Sequence, residues 1–170
     1  MKTLDLIKTR VSCRSYSEKK VSTKKALEIA EAGKFAPSAM NRQICNIYVV
    51  NSKKNVEKLR KLSINVANRD CMYGAKIVIL VAGPREDRFT YQDGSCILEN
   101  MFLAAHSLKI SSCWINQFDD LFGTKEGLKI KNALGIPADH KIVGACILGY
   151  AQDAASLKVK DRKEDFIKVI

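Results

Sequence analysis

The run Ile77-Val78-Ile79-Leu80-Val81-Ala82, entered from Lys76, constrains the fold more than any other part of this sequence. β-branched and aliphatic residues follow one another without polar alternation, which is the pattern of a buried strand and not of one with a wet side. Such a strand needs other elements packed over it. The segment 93–108 is suited to that role. Ile97, Met101, Ala104/Ala105 and Leu108 recur at helical spacing with few polar interruptions, so it reads as a central buried helix.

The rest of the chain supplies partners for these two elements. Segments 46–50, 111–116 and 141–150 read as further strands, the last with Gly144 and Gly149 marking close approach or its end. Thr3 is placed to cap a short first helix carrying Leu4 and Ile7. Ser22 is placed to cap a second, with Val21 and Ala26 as a hydrophobic staple. Ala26, Ile29, Ala30 and Gly33 give that helix a small-residue face, and Pro37 ends the segment. Ser52 opens a helix with Val56, Leu59 and Leu62 on one side. A helix over 124–134 ends at Gly135, and Ile136 can fold back on Ile130 in a Schellman arrangement. Helices come first, then strand, helix, strand, helix and strand. This is an α+β or mixed α/β sandwich with helices around a sheet of about four strands. Without repeats or a Pro/Ser-rich linker, 1–170 reads as a single domain.

Composition excludes several classes. Hydrophobic residues make up 46% of 170 residues, which is too many for a disordered chain. No apolar run approaches the roughly 20 residues of a membrane helix. The start, Met1-Lys2-Thr3-Leu4-Asp5-Leu6, has no uninterrupted apolar core of a secretory signal. Six cysteines lie at 13, 45, 71, 96, 113 and 146 with no C-x-x-C, and His106 and His140 are far from any cysteine pair in sequence. A zinc site is disfavoured and no metal is expected. Cys96, Cys113 and Cys146 sit in apolar stretches as buried free thiols do, which points to a reducing, cytoplasmic setting. The net charge of +11 is spread over Lys24-Lys25, Lys53-Lys54 and Lys129/Lys131, which read as solvated helix faces. Aromatics do not interleave with these charges, so nucleic-acid recognition is disfavoured. The positive field favours anionic small molecules.

Two polar motifs stand out. Arg10, Ser12 and Arg14 alternate in a stretch that leaves the first helix. In an extended chain their side chains share one side, and arginine suits bidentate phosphate contact. Read alone, the stretch also fits three solvated polar residues after a helix. Pro37-Ser38-x-x-Asn41-x-Gln43 is a rigid polar turn whose amides both donate and accept, or an ordinary helix stop. Near the end, Lys160 and Arg162 can add charge to a phosphate site or belong to a solvated basic tail. Phe166-Ile167-Lys168-Val169-Ile170 alternates like a strand or arm with little to pack on, which suits docking on a partner subunit. No G-x-G-x-x-G is present, nor a Ser-His-Asp or Cys-His constellation.

Taken in order, R-V-S-C-R-S-Y, A-P-S-A-M-N-R-Q, E-N-M-F-L-A-A-H-S-L-K-I-S-S-C-W-I and L-G-I-P followed by I-L-G-Y resemble the nitroreductase family. With the K-x-R tail, the resemblance spans nearly the whole chain. It implies a three-layer sandwich with a mixed central sheet, completed by a C-terminal arm from the partner subunit. It also implies an intertwined homodimer holding FMN at the subunit interface. Arg10 and Ser12 would bind the FMN phosphate, Arg14 the pyrimidine side, and Lys160 and Arg162 would complete the phosphate site. Pro37, Ser38, Met40, Asn41 and Gln43 would reach the flavin from the other subunit. Asn68 would stand where a flavin-contacting asparagine lies, and 112–116 would run beside the cofactor. The implied activity is hydride transfer from NAD(P)H, a transient co-substrate, through bound flavin to nitroaromatic, quinone or similar acceptors by a ping-pong mechanism. The flavin carries the chemistry, so no catalytic side chain is required. The alternative is a flavin-storing or flavin-modifying protein without NAD(P)H turnover. The chain departs from the family in three places. Ile44-Cys45 replace the common Pro-Trp, and Lys109 replaces a glycine. The flavin-covering excursion is reduced to Gln117–Phe122, whose Phe118 and Phe122 either line the substrate side or belong to the core.

Overall fold

The computed structural model describes residues 2–170. Among the described residues, six helices and four strands follow in the order α1 (Thr3–Thr9), α2 (Thr23–Gly33), β1 (Asn46–Val50), α3 (Lys53–Ala67), β2 (Ile77–Pro84), α4 (Thr90–Ser107), β3 (Ser111–Ile115), α5 (Phe118–Phe122), α6 (Lys125–Ala133) and β4 (His140–Gly149). Short 3-10 turns occupy Ala39–Asn41, Ala154–Ser156 and Glu164–Phe166.

The sheet order is β1-β2-β4-β3, and all three strand pairs are antiparallel. Among the described residues, the parallel component of this sheet is a single bridge, Ser12 to Ser112 on the outer side of β3. The uninterrupted apolar run lies in the middle of the sheet, as its composition demands. Its side chains alternate between two cores. Val78, Leu80 and Ala82 join a core with Leu59 and Leu62 of α3 and Phe118, Leu121 and Phe122 of α5. Ile77, Ile79 and Val81 join one with Ala26 and Ile29 of α2 and Leu98 and Met101 of α4. The result is three layers, with α2 and α4 on one face and α3, α5 and α6 on the other. Between Val81 and Ala82 the register to β4 slips. There Val143 and Gly144 both face the α4 layer, because a Cβ on Gly144 would meet Trp114 Nε1 at 2.7 Å and Leu98 Cδ1 at 3.0 Å. Bulges of this kind bend a strand and re-aim its side chains.

Local signals held where they were purely local. The Ser22, Ser52 and Thr124 side chains accept the Lys25, Asn55 and Gly127 amides. The Schellman motif is complete: Ile136 N donates to Lys131 O at 3.2 Å, Gly135 N donates to Asn132 O at 3.0 Å, and Gly135 has φ +73°. Other expectations are corrected. Lys2 and not Thr3 occupies the cap position of α1, without a side-chain bond. Helix α2 ends at Gly33, short of Pro37, in a turn whose amides bond to Glu31, Ala32 and Gly33 carbonyls. Cys96 is exposed on α4. Lys131 is buried, its Nζ donating to Ala138 O at 3.0 Å and His140 O at 2.6 Å. Periodicity places a residue on a helix face but does not say what later packs on it. Phe118 and Phe122 are buried core residues, 5.8 Å apart between ring centroids. Among the described residues, no helix is long and apolar enough to cross a membrane, and no group of acidic, histidine and cysteine side chains could hold a metal.

Candidate functional site: a basic pocket and a strained loop

The chain leaves α1 at Arg10 in an extended conformation (φ −63°, ψ 129°) and runs along the free edge of β3. Backbone bonds fix it there. Cys13 N donates to Ser112 O at 2.9 Å, Ser17 N to Tyr150 O at 2.8 Å, and Gln152 N to Ser15 O at 3.0 Å. Tyr16 completes the anchoring, with its hydroxyl donating to Cys13 O at 2.9 Å. Burial holds the Tyr16 phenol protonated, well above its ordinary range. A loop held this way keeps the alternation of an extended chain. Arg10, Ser12 and Arg14 line one pocket of about 200 Å³, and Lys158, Lys160 and Arg162 of the C-terminal segment close it from the other side.

Among the described residues, the pocket is lined by five basic side chains, the Ser12 hydroxyl and Val11, with no carboxylate. That donor set fits a phosphate dianion, since guanidinium and ammonium groups form charge-assisted bonds about twice as strong as neutral ones. Behind the pocket, the Arg10 guanidinium stands 3.9 Å from Glu99 and 5.9 Å from the Phe102 ring centroid on α4. His106, also on α4, contacts Thr9 Oγ1 through Nε2 at 2.9 Å. Burial and then the Arg10 charge lower its pKa from the ordinary 6.5.

The second motif forms a strained loop. Met40, Asn41 and Gln43 have φ of 54°, 53° and 51°. A non-glycine residue in the left-handed region costs roughly 1–2 kcal/mol. Several bonds hold the shape. Gln43 N donates to Ser38 Oγ at 3.1 Å, Gln43 Nε2 to Asn41 Oδ1 at 3.0 Å, and Arg42 pairs with Asp87 at 2.7 Å. Ala39 N donates to Asp93 Oδ1 at 3.0 Å. The strain turns polar groups outward: Asn41 and Gln43 are exposed, and so is Met40.

Within one chain, the two motifs do not share a pocket. Pro37, Ser38 and Gln43 line a separate groove of about 680 Å³ with Leu27 and Ala30 of α2, Ile47 of β1, and Asp93 and Ile97 of α4. Asn68 lines neither. It is the exposed, left-handed C-cap of α3 (φ 55°), in the opposite layer from α2 and α4. Ser111 and Ser112 of β3 line a third pocket beside Arg10, with His106 and Lys109. Ile44-Cys45 continue the loop into β1. The Cys45 thiol is pushed up to about 11, chiefly by burial and then by Asp93 and Asp87. Two residues were not anticipated. Lys158 lies two positions before Lys160 with the same alternation. Asp93 is the acid in the first turn of α4, and its place before the apolar spacing of Ile97 and Met101 was the available signal.

A three-layer α+β chain whose two ends meet at a basic pocket, with a strained amide loop on a separate groove, defines its class. The Nitroreductase family model matches residues 7–150, and the chain belongs to that family. It is 33% identical over 156 residues to an Archaeoglobus fulgidus protein designated NADH dehydrogenase/NAD(P)H nitroreductase, covering 88% of this chain and 86% of that one. Its fold is similar to the crystal structure of a nitroreductase with bound FMN from Bacteroides fragilis, with a TM-score of 0.91, 31% identity, and coverage of 100% and 99% of the two chains. A nitroreductase with bound FMN from Desulfitobacterium hafniense matches with a TM-score of 0.86 and 25% identity over 99% and 97%.

Proposed function

We propose that this chain is an FMN-dependent oxidoreductase that takes hydride from NAD(P)H and delivers it to a nitroaromatic, quinone or similar acceptor in two alternating half-reactions. The observation that carries this reading is the pocket in which Arg10, Ser12 and Arg14 meet Lys158, Lys160 and Arg162. The FMN-bound relatives of the same fold support it. When bound, FMN supplies the two-electron chemistry, so no nucleophile or general base is required of the protein.

The residues divide the remaining work. Arg10, Ser12, Lys160 and Arg162 bind the phosphate, with Lys158 adding charge. Arg14, exposed at the pocket rim, stands for the pyrimidine side, where positive charge stabilises the negative charge of a reduced ring. Pro37, Ser38, Met40, Asn41 and Gln43 serve the flavin held by a second subunit, and Asn68 contributes from the α3 layer. A homodimer reconciles this division with the separate pockets of one chain. It also gives the C-terminal arm a surface. Phe166 and Ile167 are 82% and 83% exposed, too apolar to be left in water without cause.

The test is a visible spectrum of the purified protein before and after anaerobic addition of NADH or NADPH. A flavin band that bleaches supports the proposal. A flavin band that persists supports a flavin-storing or flavin-modifying role. A colourless protein that FMN does not reconstitute rejects both.

A further inference from the structure

We propose that Asp93 is the positioning residue of the strained loop: its buried carboxylate grips the Ala39 amide and so fixes where Asn41 and Gln43 present their amides. The inference rests on the flavin reading for its consequence, but not for its geometry.

The loop's own bonds explain its shape but not its place. Ser38 to Gln43 and Asn41 to Gln43 lie within the loop and would move with it as a unit. Among the described residues, 38–43 is tied to the rest of the molecule at Arg42, which pairs with Asp87 and stands over the Phe89 ring, and at Ala39, which bonds to Asp93. The first is an ion pair whose partners are 37% and 21% exposed, in reach of water and salt. The second is different. Asp93 is 4% exposed, and a hydrogen bond to a charged acceptor away from water is stronger than the same bond at the surface.

Asp93 also carries a cost that needs explaining. Its Oδ2 is buried and has no hydrogen-bond partner among the described residues. Buried polar atoms without partners are uncommon, and an apolar side chain here would avoid the penalty. The first turn of α4 offsets part of it, because the N-terminal end of a helix dipole favours negative charge. The carboxylate lines the same groove as Pro37, Ser38 and Gln43, so its position is tied to that loop and not to the packing of α4 alone. Three left-handed residues would relax if the Ala39 anchor were released, and the two exposed amides would lose their fixed direction.

The experiment compares wild type with Asp93→Ala, Asp93→Asn and Ala39→Pro. Asparagine keeps an oxygen that can accept from Ala39. Proline at 39 removes the donor from the other side, and Ser38 is already in the extended conformation that proline requires of its predecessor (φ −136°, ψ 151°). Ala39→Pro changes only the loop, so it tests the contact even if Asp93→Ala fails to fold. Two quantities are read: backbone hydrogen exchange of 38–43 against 143–148 in flavin-free protein, and the FMN dissociation constant from flavin fluorescence.

In Asp93→Ala, exchange of 38–43 accelerates at least about tenfold while 143–148 is unchanged, and FMN binding weakens about ten- to a hundredfold. Asp93→Asn restores most of both, and Ala39→Pro reproduces the loss of FMN affinity. Unchanged exchange in 38–43, or acceleration spread equally over 143–148, overturns the proposal. So does FMN affinity that Ala39→Pro leaves untouched. Wild-type protein that binds no FMN overturns the flavin reading instead, while the exchange data still decide whether Asp93 holds the loop.

Discussion

The ring of Tyr16 occupies the space that a side chain on Gly149 would need: a Cβ there would lie 2.5 Å from Tyr16 Cδ1. Through this contact the end of β4 seats the loop that carries Arg10, Ser12 and Arg14, because the same tyrosine donates to Cys13 O. Gly149→Ala forces the ring out. The expected cost is about 1–3 kcal/mol, typical of overpacking. Thermal denaturation of Gly149→Ala, Tyr16→Ala and the double variant checks it. The double variant should lose less than the sum, since the two residues compete for one space.

Arg162→Ala should separate the phosphate from the rest of the ligand. Arg162 reaches the pocket from the C-terminal segment and forms no part of either core. Losing one charge-assisted contact weakens FMN about ten- to a hundredfold. Riboflavin, which has no phosphate, should bind wild type and variant equally. Titration of both flavins into flavin-free protein gives the answer. Equal weakening of the two would show that Arg162 does not face the phosphate.

Lys109 has φ 57°, in the turn between α4 and β3. Lys109→Gly removes the steric cost of a Cβ in the left-handed region and returns part of the gain as unfolded-chain entropy. A net stabilisation of about 1 kcal/mol is expected, or a rise of roughly 2–4 °C in Tm for a chain of this size. A variant that melts at or below the wild-type temperature would contradict it.

His106 gives a pH dependence with a definite sign. Its folded-state pKa lies below the ordinary 6.5, first because of burial and second because of the Arg10 charge. The unfolded chain therefore binds the proton more readily. The stability contribution is present above pH 6.5 and is lost as pH falls through the lowered value. Lys109 lines the same pocket, and Thr9 Oγ1 contacts the ring, so the groups beside it are cationic or neutral. Urea midpoints measured from pH 8 to pH 5 should fall less steeply in His106→Gln than in wild type.

The fold was legible in the sequence wherever one short segment sufficed. Ser22, Ser52 and Thr124 caps, the Gly135 terminus and the buried run of β2 are each decided within a few residues, so their chemistry is written in order along the chain. Thr3 failed as a cap because the helix already begins at it, with Lys2 in the extended cap conformation before it. Burial of Lys131 and exposure of Cys96 were not legible. A lysine with two carbonyls to bond is stable inside, and a cysteine on α4 is outside unless something packs on it.

The site divides in the same way. By itself, the sequence determined the donor types and their alternation: guanidinium, hydroxyl and guanidinium at 10, 12 and 14, amides at 41 and 43, and cations at 160 and 162. Only the tertiary structure decided that 10–14 and 158–162 face one pocket, because Ser12 is bridged to Ser112 of β3 and the C-terminal segment returns over the same place. It also decided that the amide loop lines a different groove and hangs from a carboxylate 54 positions away at the head of α4. Capping and periodicity act between neighbours in sequence. Charge convergence and strain relief depend on distances that exist only once the two cores have closed around the sheet.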